Sequence, residues 1–332
     1  MPLTSPSTLV LTRRDIAQLM SFDDYVTAVE EAFRLHAAGQ THLPDVVHLQ
    51  GQDGGLHVKA AGLHLPQTHV AVKLNSNFTH NTERFGLPTI QGAILLCDAR
   101  TGTLLAVMDS IEITISRTGA ATALAARHLA KPDSTVATIC GCGSQGRIQL
   151  IALKHMLPLE RVYAFDSHPE AAHAFAAQMT QELGIDVTVP ATLREGTAAS
   201  DVIATCTPSR QPILYKADVS PGAFVAAVGA DSPEKQELDP RLLSSSTIVV
   251  DILEQCAAMG ELHHALEGGI VSRASVHAEL GEILAGMKPG RRSPDEIVVF
   301  DATGTAIQDV ASAVAVYERA IEQGVGLRCS LG

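Results

Sequence analysis

The chain has 332 residues, enough for about two domains and a substantial core. Hydrophobic residues make up 46% and charged residues 18%, a globular composition that excludes a disordered chain. Lys plus Arg number 24 against 36 Asp plus Glu, a net charge of −12, which argues against nucleic-acid or anionic-membrane partners. Trp is absent and aromatics are 4%, so stacking platforms for single strands are not expected either.

No apolar run approaches the roughly 18 residues of a spanning helix. The N-terminal segment carries its charges after its apolar run and has no small-residue cleavage pattern, so it does not read as a signal peptide. Cys97, Cys140, Cys142, Cys206, Cys256 and Cys329 contain no C-x-x-C pair, which suits reduced thiols in a cytoplasm.

The first part of the chain predicts a mixed region. Asp23–Ala38 has helical spacing and an acidic start at Asp23 and Asp24. His57–Ala60, His69–Leu74, Ala93–Asp98 and Thr103–Met108 read as strands, with Asp98–Gly102 as a hairpin connection. Thr118–Leu129 is Ala-rich and helical, and Pro132 ends it.

From Ser134 the pattern alternates. Thr135–Cys140 is a strand, Gln145–Met156 a helix, Val162–Asp166 a strand and Pro169–Leu183 a helix with Pro in its first turn. Further strands are expected at Val187–Val189, Val202–Thr205, Phe224–Val228, Ile248–Asp251 and Ile297–Phe300, and a last helix within 304–323. Alternation of this kind predicts an α/β fold whose parallel sheet is of Rossmann type.

Gly141-Cys-Gly143-Ser144-Gln145-Gly146 fits G-x-G-x-x-G where a strand gives way to a helix. Gly141 permits a tight turn, Gly143 leaves room for a pyrophosphate and Gly146 permits close packing, with the helix N terminus facing the phosphates. Asp166 ends the next strand, where an acid bonds a ribose 2′-hydroxyl and repels a 2′-phosphate; NAD(H) is therefore favoured over NADP(H). Asp166 also reads as a turn residue, and Thr205 and Thr207 read as loop caps as readily as ligand contacts.

Five segments together resemble the ornithine cyclodeaminase/μ-crystallin family over nearly the whole chain. They are Val72-Lys73-Leu-Asn75 with Asn77; Arg117-Thr-Gly-Ala-Ala-Thr; Gly141 to Gln145; Val228-Gly229-Ala-Asp231 through Lys235 to Leu238; and Phe300-Asp301-Ala-Thr-Gly304 through Asp309. The resemblance implies homodimers. It also implies a Rossmann domain over 125–303 and a substrate-binding and dimerisation domain from 1–124 with 304–332. The implied chemistry is hydride transfer between NAD(P)(H) and the α-carbon of an amino or imino acid. Some members cyclodeaminate ornithine or lysine, and μ-crystallin binds thyroid hormone.

By the same resemblance Asp231 is catalytic, Lys73 is a catalytic or substrate lysine and Arg117 binds the carboxylate. Physically, Asp231 could hold the proton of a substrate nitrogen, or simply cap the helix near Pro233. Lys73 lies in an apolar strand, where an ammonium needs an anion unless it faces water. Arg117 can grip a carboxylate with two parallel bonds, or serve a structural ion pair. Val228 and Lys235 join the cofactor set by position, and Ala302 stands where some members carry Ser.

Two departures bear on substrate. Asp45 follows Leu43-Pro44 where several members have an arginine, and Leu56-His57-Val58-Lys59 lacks the acid of the ornithine-converting enzymes. Lys59 and His57 would attract a second anion and repel an ω-ammonium. The expected activity is an NAD(H)-dependent imine or ketimine reductase, or amino-acid dehydrogenase. Ornithine cyclodeamination and a binding role like that of μ-crystallin are the alternatives.

No metal is expected. Cys140-x-Cys142 lacks a second pair, and His263-His264 beside Glu261 has no H-x-x-x-H spacing. Glu279 and Glu282 read as structural, Gly290–Ser293 as an exposed turn, and no G-x-S-x-G elbow is present.

Overall fold

The computed structural model describes residues 7–43, 46–65, 67–78 and 80–330. The chain divides into two compact units, Met1–Arg117 with Thr305–Gly332, and Thr118–Gly304. The first break falls inside the helix Ile111–Leu129, which begins earlier than its Ala-rich part suggested because Asp109 accepts from the Ile111 N–H at its start.

The first unit is built on an eight-stranded sheet. Gly55–His64, Thr68–Asn77, Ile90–Asp98 and Leu104–Asp109 form its antiparallel centre, and Thr8–Leu11 adds in parallel beside Leu104–Asp109. Leu327–Cys329 closes one end of the sheet. The expected strands are all present; three are longer, since ladder bonds continue past the apolar stretches that mark them in sequence, and the fourth is shifted by one residue to Leu104–Asp109.

One face of this sheet is covered by the C-terminal helix Ala306–Gln323, which packs on Gly55–His64 and Thr68–Asn77 and against the helix Phe22–Ala37. Ala61, Leu63, Ala71, Ile94 and Leu96 are buried on that face. Phe22–Ala37 turns Tyr25, Val26, Val29, Ala32 and Phe33 inward at helical spacing. Phe33 is fully buried, and its truncation to Ala would cost about 3–5 kcal/mol. The N-cap of this helix is Ser21, in a capping box with Asp24, rather than the acids themselves.

The second unit holds a parallel sheet of eight strands. The glycine turn follows Val136–Cys140, flanked by Arg161–Phe165 on one side and Val202–Thr205 on the other. Asp186–Thr188 lies beyond Arg161–Phe165, and Phe224–Ala227, Val298–Asp301, Thr247–Val250 and Val276–Glu279 continue the opposite side. Chain order therefore reverses at Val136–Cys140, the switch point at which ligands bind outside the strand ends of doubly wound sheets. Val202–Thr205, Phe224–Ala227 and Val298–Asp301 are buried at every residue, as strands covered on both faces require. Leu214, Leu238, Leu242, Cys256 and Leu262 complete the core beside them.

All six cysteines are unpaired. Among the described residues no helix is long and apolar enough to cross a membrane.

Candidate functional site

The glycine turn takes the form its sequence demands. Gly141 has φ +99°, and a Cβ there would stand 2.9 Å from the Cys206 carbonyl oxygen. A Cβ at Gly146 would stand 2.0 Å from the Gly141 carbonyl oxygen, so helix and strand could not approach as they do. Gly143 is the opposite case, since a Cβ there would meet nothing within 4 Å.

Gly143 is also the N-cap of the helix Ser144–Met156, and no side chain caps it. The first N–H groups of this helix, beginning with those of Ser144 and Gln145, therefore point out of an open turn with the positive end of the helix dipole behind them. The Gln145 amide oxygen is buried without a hydrogen-bond partner. A pyrophosphate fits this turn by both space and charge.

Asp166 stands at the end of the neighbouring strand. Its carboxylate accepts from the Cys142 N–H at 2.9 Å and the His168 N–H at 2.9 Å. Burial raises its pKa, but these backbone donors outweigh burial and hold it below the ordinary value. An ionised acceptor is thus tied to the glycine turn at the end of the neighbouring strand.

Two loops at the carboxyl ends of adjacent strands are clamped by one acid. The buried Glu237 accepts from the Thr207 N–H at 2.6 Å and the Gly229 N–H at 2.9 Å. Glu261 in turn accepts from the N–H groups of Glu237 and Leu238, and Asp301 from those of Glu261 and Leu262. Burial pushes all three carboxyls up, Asp301 to about 7, against the pull of these donors. Thr207 borders Gly141, Val228 is half-buried, and Thr205 has no exposed surface. Thr205 is thus enclosed at the strand end.

Asp231 follows the Gly229 loop, and its side chain is 48% exposed. Lys235 Nζ pairs with its Oδ1 at 2.6 Å, so Lys235 holds the loop that carries the acid. Gly304 donates its N–H to Asp251, which also accepts from the Thr303 hydroxyl. Arg291 bonds the Leu129 and Glu296 carbonyl oxygens, which gives the expected turn at Gly290–Ser293 a structural role.

The first unit gathers its cations around an acid that residue spacing did not single out. Asp309, on the C-terminal helix, receives Lys73 Nζ at 2.7 Å and Arg117 Nε at 2.9 Å. Arg117 Nη1 also donates to Gln308 at 3.2 Å. Lys73, Arg117 and Asp309 are each at least 95% buried. Burial lowers the Lys73 pKa, the Arg117 charge lowers it further, and Asp309 only partly restores it, to about 7. Burial would raise Asp309, but Lys73 and Arg117 more than reverse it.

Lys59 is the register partner of Lys73 on the neighbouring strand and is also buried. Like charges set opposite each other in a ladder are unfavourable, and Lys59 accordingly adds to the lowering of the Lys73 pKa. His57 lies two residues away on the same face, half-buried, with its ring 4.6 Å from that of His48. The expected contact at Asp45 lies outside the described residues.

The structure thus brings Lys73, Arg117 and Lys59 together in one unit. In the other it brings Gly141–Gly146, Asp166 and Thr207 to one strand edge. Asp309 lay in a segment that carried the family resemblance, and its signal was an acid on the apolar stripe of a helix.

A doubly wound domain with a dinucleotide-type glycine turn, joined to a unit that holds a buried cluster of cations around one acid, is the architecture of a nicotinamide-linked oxidoreductase. The chain belongs to the ornithine cyclodeaminase/mu-crystallin family, whose model matches residues 7–324. It is 41% identical over 320 residues to the alanine dehydrogenase of Archaeoglobus fulgidus, covering 96% of this chain and 97% of that one. It is 32% identical to the iminosuccinate reductase of Paracoccus denitrificans, covering 96% and 98%. Among solved structures, an archaeal alanine dehydrogenase dimer with bound NAD superposes with a TM-score of 0.93 at 40% identity, covering 98% and 100%. The Δ1-pyrroline-2-carboxylate reductase of Thermococcus litoralis, in complex with NADH and L-proline, gives 0.92 at 34%, covering 96% and 99%.

Proposed function

We propose that the protein is an NAD(H)-dependent oxidoreductase acting at the α-carbon of an imino or amino acid. The observation that carries this reading is the pairing of Lys73 and Arg117 on the single carboxylate of Asp309. Two buried cations against one acid leave positive charge for a substrate carboxylate. The residues of the glycine turn and Asp166 fit a dinucleotide, and Asp166 favours NAD(H) over NADP(H).

When bound, the nicotinamide supplies or accepts a hydride at the substrate α-carbon. Arg117 and Lys73 orient the carboxylate and so fix that carbon. Asp231 holds the proton of the substrate nitrogen, and Lys235 sets the carboxylate position. Lys59 and His57 favour a substrate with a further carboxylate, or none, over one with a distal ammonium. The alanine dehydrogenase and the pyrroline-2-carboxylate and iminosuccinate reductases support this substrate class.

We place the enzyme as a cytoplasmic homodimer. The alanine dehydrogenase neighbour is a dimer, and the sheet face opposite the C-terminal helix exposes Val47 at 49%, Leu49 at 52%, Leu74 at 41% and Leu95 at 40%. Six unpaired thiols suit a reducing compartment.

The test is to follow loss of reduced nicotinamide with pyruvate plus ammonia, Δ1-pyrroline-2-carboxylate and iminosuccinate. Turnover with at least one, abolished by Arg117→Ala, is expected. Ammonia release from ornithine at substoichiometric NAD⁺ would instead identify a cyclodeaminase, and ligand binding with no turnover a binding protein.

A further inference from the structure

His263 and His264 lie on the short helix Glu261–Glu267. Glu261, the acid closest to them in sequence, is fully occupied by backbone N–H groups. Glu267 takes its place: its Oε2 is 3.9 Å from His263 Nε2, one helical turn away. The two rings are 5.2 Å apart, and one donor atom from each of the three residues lies within 4.8 Å of the others.

The hydrogen bonds behind the rings decide what they offer. His263 Nδ1 is 3.2 Å from the Ala257 carbonyl oxygen, and His264 Nε2 is 2.8 Å from that of Lys235. A carbonyl oxygen only accepts, so each of these nitrogens carries the proton. In the neutral rings the lone pairs are then on His263 Nε2 and His264 Nδ1. Fixing the tautomer through the far nitrogen is how metal-binding imidazoles are oriented.

We propose that His263, His264 and Glu267 form a binding site for a divalent transition-metal ion, Zn²⁺ in particular. Two imidazole nitrogens and a carboxylate oxygen suit zinc, with water in the fourth position. One ligand atom of each residue already lies within 4.8 Å of the others, so an ion would have to draw them inward, and the Glu267 side chain, 76% exposed, has room to swing toward it. The proposal is independent of the oxidoreductase reading.

Chelator-washed protein titrated with Zn²⁺ in a calorimeter is expected to bind one ion per chain. Co²⁺ is expected to give visible d–d bands at that site. His263→Ala and Glu267→Gln should each weaken Zn²⁺ binding by about tenfold or more, since even outer partners of a metal count on that scale. Glu267→Gln alters an exposed side chain, so an unchanged melting temperature will show that the fold is kept. Absence of Zn²⁺ binding, or binding unaffected by both variants and therefore held elsewhere, would overturn the assignment.

Discussion

Arg117 Nε donates to Asp309 Oδ1 at 2.9 Å across 192 residues of sequence, and Lys73 takes the other oxygen of the same carboxylate. One acid therefore organises both of the cations proposed to hold the substrate carboxylate. Asp309→Asn would leave two buried charges facing each other without a counter-ion. Breaking a buried pair by removing one partner costs about 3–5 kcal/mol. The expected outcome is a clear fall in denaturation midpoint, with part of the loss recovered in Lys73→Met/Asp309→Asn.

The pH dependence of anion binding follows from Lys73. Its pKa is depressed to about 7, chiefly by burial. Below that pH the ammonium is charged and attracts a carboxylate; above it the charge is lost. KM for the imino acid should therefore rise as pH increases through 7. In Lys73→Met this rise should vanish and KM should be high throughout. A KM flat between pH 6 and 8 (about one unit on either side of that pKa) in the unmodified enzyme would count against the assignment.

Gly143 and Gly146 should separate cofactor binding from folding. Gly143→Ala adds a methyl where the protein has open space, so the melting temperature should be unchanged while NADH binding weakens. Gly146→Ala drives a methyl into the Gly141 carbonyl oxygen, so it should destabilise the domain. Thermal denaturation and NADH fluorescence titration of both variants give the comparison.

Asp166→Ser should erode cofactor preference. It removes the ionised acceptor beside the glycine turn and the charge that repels a 2′-phosphate. The ratio of kcat/KM for NADH over NADPH is expected to fall by about tenfold, the effect of about 1.4 kcal/mol. An unchanged ratio would remove Asp166 from cofactor selection.

The parts of this molecule that could be read from sequence are those that repeat locally. Apolar strands, Pro169 at a helix start and glycines at fixed offsets each report on their own few residues, and the parallel sheet follows from their alternation. Asp309 was legible only within a family-like segment, because an acid on a helix reads as a solvated one until packing places it on Lys73 and Arg117. The chain of Asp301, Glu261 and Glu237 was hidden for the same reason: each acid serves backbone N–H groups, which leave no trace in residue type. Glu267 escaped because attention to His–His spacing passes over a carboxylate one turn away.

The strands Gly55–His64 and Thr68–Asn77 are paired without interruption, and Lys59 meets Lys73 within that ladder. Side chains alternate between faces, so the ladder acts as a reading frame for the charge of this cluster. Insertion of one residue between His57 and Val58 would swing His57 to the opposite face and put the inserted side chain in its place, while leaving Lys59 where it is. Evolution can thus retune this cluster in whole steps of one residue, replacing the imidazole beside Lys59 without altering any existing residue's identity.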